Sequence, residues 1–154
     1  MKITNPASDY IPKSSFVLEH TVQGNPYGNP LLVGYGVYIH QISEQIIYNF
    51  KILPSIFSLE HIYIDFINLT DPCYGYLEMW AFAEGEAFNT HTYSDATYSF
   101  DNDYGTSKID SIDVYPLLSD ISNDDFVGVS VTYVADAPAT DIVFFSLRHT
   151  YVMA

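Results

Sequence analysis

Positive charge is scarce in this chain. Lysine and arginine together number 5 against 19 aspartates and glutamates, a net charge of −14 at neutral pH. Nucleic-acid binding depends on clustered Lys and Arg to neutralise phosphates, so the composition excludes a nucleic-acid partner, and it excludes docking on an anionic membrane for the same reason. Cysteine is nearly absent. Cys73 stands alone, so no intrachain disulfide forms and the fold rests on packing, with Cys73 itself read as a small buried hydrophobe. Long apolar runs are missing too: nothing approaches the ~18 residues of a membrane span, and M-K-I-T-N-P-A-S-D-Y lacks the apolar core of a signal peptide. These absences predict a soluble protein made in a cytoplasm. No window holds a sustained 3.6-residue period, so any helix is expected to be short.

Catalytic motifs are equally sparse. The histidines His20, His40, His61, His91 and His149 are scattered singly, with no H-x-H and no H-E-x-x-H. G-x-S-x-G, a phosphate loop and G-x-G-x-x-G are all missing. The sequence therefore calls for no cofactor and no metal, and the expectation is a protein that is not an enzyme.

What the chain does have is strand-forming material. Hydrophobic residues make up 48% of its 154 residues and aromatics 16%, with 14 Tyr and 10 Phe against one Trp. Tyr has an apolar body and a polar tip, which suits half-buried sheet faces and subunit contacts. Residues 1–30 differ from the rest: Pro6, Pro12, Pro26 and Pro30 punctuate a stretch rich in Asn, Gly and Ser, which reads as an extended arm. From residue 31 to 154 the text reads as one all-β domain. Eight runs rich in β-branched and aromatic residues, bounded by Gly, Pro, Asn or Asp, cover 31–40, 45–52, 61–69, 76–83, 96–100, 109–114, 126–135 and 142–152. Eight strands at this spacing predict a sandwich or barrel. Val127, Val129, Val131 and Tyr133 are expected on one face of the seventh run, and Val143, Phe145, Leu147, His149 and Tyr151 on one face of the last. V-Y-P-L-L-S-D at 114–120 is the best candidate for a single helical turn, opened by Pro116, with Leu117 and Leu118 plugging the sandwich end.

Three polar stretches invite chemistry. E-G-E-A-F-N-T-H-T-Y-S-D at 84–95 offers Glu84 and Glu86 as paired carboxylates with His91 beside them, but nothing marks a cleft around them. The plainer expectation gives Gly85 a turn, Phe88 an anchor in the core, and Asn89, Thr90 and Thr92 hydrogen bonds to the backbone of an irregular crossing segment. D-N-D-Y-G at 101–105 starts like a calcium loop, yet Gly105 arrives one residue early and no Glu stands twelve positions along. It is expected to be a hairpin turn carrying solvated acids, and N-D-D at 123–125 likewise.

The order of segments from 44 to 153 resembles a class of phage virion proteins with a jelly-roll domain, seen at the head or tail surface. Y-N-F-K-I-L-P-S-I-F-S-L at 48–59 is similar to that family's P-x-x-F-x-S/T-L stretch, and E-G-E-A-F-N-T-H-T at 84–92 to its Gly-Glu-x-aromatic-Asn-Thr-His-Thr segment. I-D-S-I-D-V-Y-P-L-L-S-D-I at 109–121 and D-D-F-V-G-V-S-V-T-Y at 124–133 resemble two further segments in the same order. L-E-M-W-A-F-A and A-D-A-P-A-T-D depart from the family pattern, and residues 1–43 match none of it. The resemblance implies an eight-stranded jelly-roll β-sandwich and a non-enzymatic structural role, most simply capsid decoration or a small head/tail surface protein. It further implies a homotrimer on the virion surface that contacts the major capsid protein or another virion protein. The alternative is a carbohydrate-binding module, with Trp80, Phe82, Tyr93 and His91 as the ligand or contact surface and Tyr74, Tyr76 and Tyr98 as further stacking faces for a glycan.

Overall fold

The computed structural model describes residues 2–4, 15–21, 31–33, 36–42, 44–135 and 139–153, with the backbone alone described before residue 36. The strands are β1 (Lys2–Thr4), β2 (Ser15–Thr21), β3 (Leu31–Val33), β4 (Gly36–Ile39), β5 (Gln45–Lys51), β6 (Phe57–Asn68), β7 (Tyr74–Phe82), β8 (His91–Ser99), β9 (Ile109–Asp113), β10 (Phe126–Thr132) and β11 (Ile142–Met153). They form two antiparallel sheets, one of seven strands and one of four in the order β5-β10-β7-β8. In the larger sheet β6 lies along one side of β11 and pairs outward with β9, while β4 and β2 share the other side.

Four of these pairings define the winding. β4 pairs with β11, β5 with β10, β6 with β9 and β7 with β8, all antiparallel. That is one long ribbon folded back over itself into a two-sheet antiparallel β-sandwich. Of the stretch expected as an arm, residues 15–21 form β2, which hydrogen-bonds to β11 and so adds to the larger sheet. The run at 31–40 divides into β3 and β4, which pair with each other.

Alternation decides which side chains face inward. In β10 Val127, Val129 and Val131 are buried, in β7 Leu77, Met79 and Ala81, and in β5 Ile46, Tyr48 and Phe50. The opposite wall comes from Ile62, Ile64 and Phe66 of β6 and from β11. β11 corrects one expectation. A bulge between Phe144 and Ser146 shifts the phase, so Ile142 and Phe144 point into the core with Leu147 and Tyr151, and Phe145 does not. An extra residue in one strand of a pair turns every later side chain to the other face, and V-F-F is apolar in both phases. Phe100, just beyond β8, locks the centre: its ring meets Phe66, Phe144 and Tyr98 edge-on at 5.5, 5.6 and 5.2 Å between centroids. The helical turn expected at 114–120 is a 3-10 turn at Tyr115–Leu117 with Pro116 at its start, and Leu118 beside it is buried in the core.

Two loops differ from the reading of their acids. The 101–105 segment is no hairpin turn, because β8 and β9 belong to different sheets and the chain crosses between them here. Asn102 organises the crossing, accepting from the Tyr104 N–H at 3.0 Å and donating to the Lys108 carbonyl at 2.7 Å. N-D-D at 123–125 is a clamp: Asn123 donates to the carbonyls of Leu53 and Phe57 at 2.8 and 2.6 Å. Asp125 is buried, not solvated, and accepts from the Ser122 N–H at 2.7 Å.

Candidate contact surface

The outer face of the four-stranded sheet is assembled by register. Gly128 on β10 lies between Asn49 on β5 and Trp80 on β7, and Phe126 lies between Lys51 and Phe82. Directly opposed residues share a face, so these six side-chain positions form two adjoining rungs pointing away from the core. The larger ring sits where the smallest residue stands. A β-carbon added to Gly128 would fall 2.0 Å from Cε2, 2.1 Å from Nε1 and 2.2 Å from Cζ2 of Trp80. The indole therefore packs directly on the Gly128 backbone, on the outer side of the sheet.

The second rung is aromatic as well. Phe82 and Phe126 stack at 5.6 Å with 22° between their planes, and the Lys51 ammonium sits 5.2 Å from the Phe126 centroid. Lys51 also pairs with Asp124 at 3.7 Å. Together Asn49, Lys51, Trp80, Phe82 and Phe126 line a shallow cavity of about 310 Å³. Phe126 is 41% exposed, so with Phe82 and Trp80 it leaves aromatic surface on the outer face of the sheet.

Gly128 gives the arrangement a direct test. Gly128→Ala is expected to cost about 1–3 kcal/mol, because the methyl must displace the indole from its seat. Urea unfolding measures the loss, and Trp emission should move to longer wavelength as the ring tilts into water. An unchanged midpoint and unchanged emission would show that the ring does not rest there.

Of the four residues expected at a ligand surface, the structure brings Trp80 and Phe82 together and places Tyr93 and His91 elsewhere. Tyr93 and His91 pair with Met79 and Ala81, which point inward, so they occupy the opposite face of the sheet. Tyr93 packs against the core, and burial followed by the Asp95 charge pushes its phenol up. The stretch that holds His91 splits in two. Residues 84–90 are an exposed turn in which Gly85 has φ 89°, Glu86 accepts from the Ala83 N–H at 2.9 Å, and Thr90 donates to the Ala87 carbonyl at 2.6 Å. From His91 onward the chain is strand β8. Phe88 is not a core anchor, since it is 70% exposed.

A second, more polar cleft of about 510 Å³ lies at one end of the sandwich, lined by Tyr38, His40, Thr70, Asp71, Thr140 and Asp141 among others. Tyr38, His40 and Asp141 are engaged with the chain itself. The Tyr38 hydroxyl donates to Asp141 at 2.5 Å, and burial, that bond and the Asp141 charge push the phenol up to about 12. Glu44, fully buried, accepts from the His40 and Gln41 N–H groups at 2.8 and 3.2 Å and lies 3.2 Å from the His40 ring. His61 and His149 are engaged apart from it: His61 meets Asp113 at 2.7 Å, and His149 is buried against Phe50 and Tyr151. Among the described residues no group of three or more His, Cys, Asp or Glu is placed to hold a metal ion. Cys73 is buried, and its thiol is pushed up mainly by that burial.

Comparison with known proteins adds little to this geometry. No protein-family model matches the chain, and no curated protein matches it. Among solved structures, a cycloisomaltooligosaccharide glucanotransferase of a Paenibacillus species, complexed with cycloisomaltoheptaose, is similar at 10% identity and a TM-score of 0.37. The alignment covers 86% of this chain and 18% of that one, so the chain spans less than a fifth of that enzyme's length.

Proposed function

We propose that this protein is a non-enzymatic component of a phage particle's surface, a capsid decoration or small head/tail protein, that acts by presenting the outer face of its four-stranded sheet to a partner. The observation that carries the binding role is the indole of Trp80, seated on Gly128 and lining one cavity with the Phe82–Phe126 stack. Exposed aromatic surface held on a rigid sheet is a recognition device, because the rings are ordered before the partner arrives and little entropy is lost on binding. The particle itself is supported by the resemblance of the ordered segments between 44 and 153, and the antiparallel two-sheet sandwich they build suits a jelly roll. A homotrimer suits such a role, since closed symmetry repeats the face without leaving an open chain of contacts. The net charge of −14 keeps the assembly soluble and away from packaged nucleic acid.

The test uses purified particles of the phage that encodes the chain. The protein should be found in purified particles by mass spectrometry, and particles carrying Trp80→Ala should retain it while adsorbing to cells at least ~10-fold less well, as loss of a central aromatic contact predicts. Absence from purified particles would remove the virion role. Unchanged adsorption with a folded variant would remove the role of this face.

A further inference from the structure

We infer that the Trp80 shelf is a binding site for one neutral hexopyranose residue of a glycan chain; the inference rests on the reading of this face as the recognition surface. A pyranose ring has an apolar face made of C–H groups and a rim of hydroxyls. The site mirrors both parts. Its floor is the indole of Trp80, which lines the cavity and cannot move further inward, because Gly128 beneath it leaves no more room. One wall is the stacked pair Phe82 and Phe126. The rim carries hydrogen-bonding groups of both kinds: the Asn49 amide, exposed beside Gly128, offers a donor and an acceptor, Lys51 offers donors and Asp124 acceptors.

Size and charge choose among occupants. Three rings around about 310 Å³ make a patch for a single ring, whereas a stable protein partner needs roughly 800 Å² from each side. Lys51, the cation at the rim, is paired with Asp124 at 3.7 Å, so the rim is locally neutral in a protein of net charge −14. An acidic sugar must compete with Asp124 for Lys51 and meets a repelling field. A neutral sugar meets neither obstacle. Because the sheet fixes the floor and the stack fixes the wall, binding requires no rearrangement and is expected to be weak per site, with a trimer multiplying it through simultaneous engagement.

Trp80 is the single tryptophan of the chain, so tryptophan fluorescence reports this shelf alone. The intact protein is titrated with neutral gluco-, galacto- and manno-oligosaccharides and with uronic-acid and sialylated oligosaccharides. A saturable emission change with one neutral class, absent with the acidic ones, is the expected result. Calorimetry on Phe126→Ala and Asn49→Ala should then show at least ~10-fold weaker binding, and Ile109→Ala, on the other sheet, should bind as the parent does. Asn49 is exposed, so its variant keeps the test valid if an aromatic variant fails to fold. Binding of acidic sugars alone overturns the neutral assignment. No response to any sugar, with adsorption still lost in Trp80→Ala particles, overturns the sugar and leaves the face; no response with adsorption retained overturns both.

Discussion

Val131→Asp is expected to yield no folded protein. Val131 has no solvent exposure and lies on β10, the strand flanked by β5 and β7, where it opposes Ile46 and Leu77. Its Cγ1 already lies 2.9 Å from where a β-carbon on Gly75 would sit, so the site is filled. An aspartate there is shut off from solvent. It must bury a charge or take up a proton, and it also loses the packing of the isopropyl group. The cost is on the order of 5 kcal/mol, comparable with the whole stability of a domain this size. Loss of the soluble fraction and of cooperative urea unfolding is the readout. A variant that unfolds cooperatively near the parent's midpoint would mean that the centre of the sandwich is not where β10 lies.

The second large effect concerns Arg148. On the outer face of the larger sheet its guanidinium grips Asp65 with two bonds, Nε to Oδ2 and Nη2 to Oδ1, both 2.7 Å. The hydroxyls of Ser111 and Ser146 donate to the same carboxylate at 2.5 and 2.6 Å. Burial alone would push Asp65 up; the bonds from Arg148, Ser111 and Ser146 and the Arg148 charge overcome it and hold the carboxyl below its ordinary value. Arg148→Met should therefore cost about 3 kcal/mol at neutral pH, the low end for a broken buried pair because the Arg148 side chain is 31% exposed. The pH dependence has a definite sign. A carboxyl depressed in the fold contributes stability that is present above its unfolded value, about 3.9, and is lost as pH falls through the folded value. Without the guanidinium, burial dominates and Asp65 is destabilised while ionised, a penalty that protonation removes. The gap between parent and variant should narrow as pH falls from 7 towards 4. Urea unfolding at several pH values measures it, and a gap that stays constant would show that Asp65 is not the group involved.

Strand positions were legible because the periodicity is strong and the turns are marked. F-V-G-V-S-V-T-Y-V can be only a strand with valines inward, and residues 45–51, 109–113 and 126–132 fall inside the runs read from sequence. What failed to show has physical causes. The bulge at Phe145 is invisible in V-F-F, where either phase looks apolar, and only the pairing of Phe144 with Phe66 and Ser146 with Asp65 reveals it. The first half of β8 was hidden because an edge strand with alternate residues in solvent carries Thr, Ser and Asp. The shelf was half legible. Trp80 and Phe82, two residues apart, announce a shared face, but Phe126, Asn49 and Lys51 join them through cross-strand register, which one sequence does not encode. Gly128 was the available clue, a glycine amid valines on the face opposite them.

The winding also sets an order of assembly. β10 separates β5 from β7, and β11 separates β6 from β2 and β4, so the middles of both layers come from the last two strands. A ribosome that has delivered everything up to β9 has therefore delivered a shell with neither centre in place. Closure of the sandwich follows translation of β11, and a nascent chain halted before that point is left with open hydrogen-bonding borders that recruit chaperones or one another.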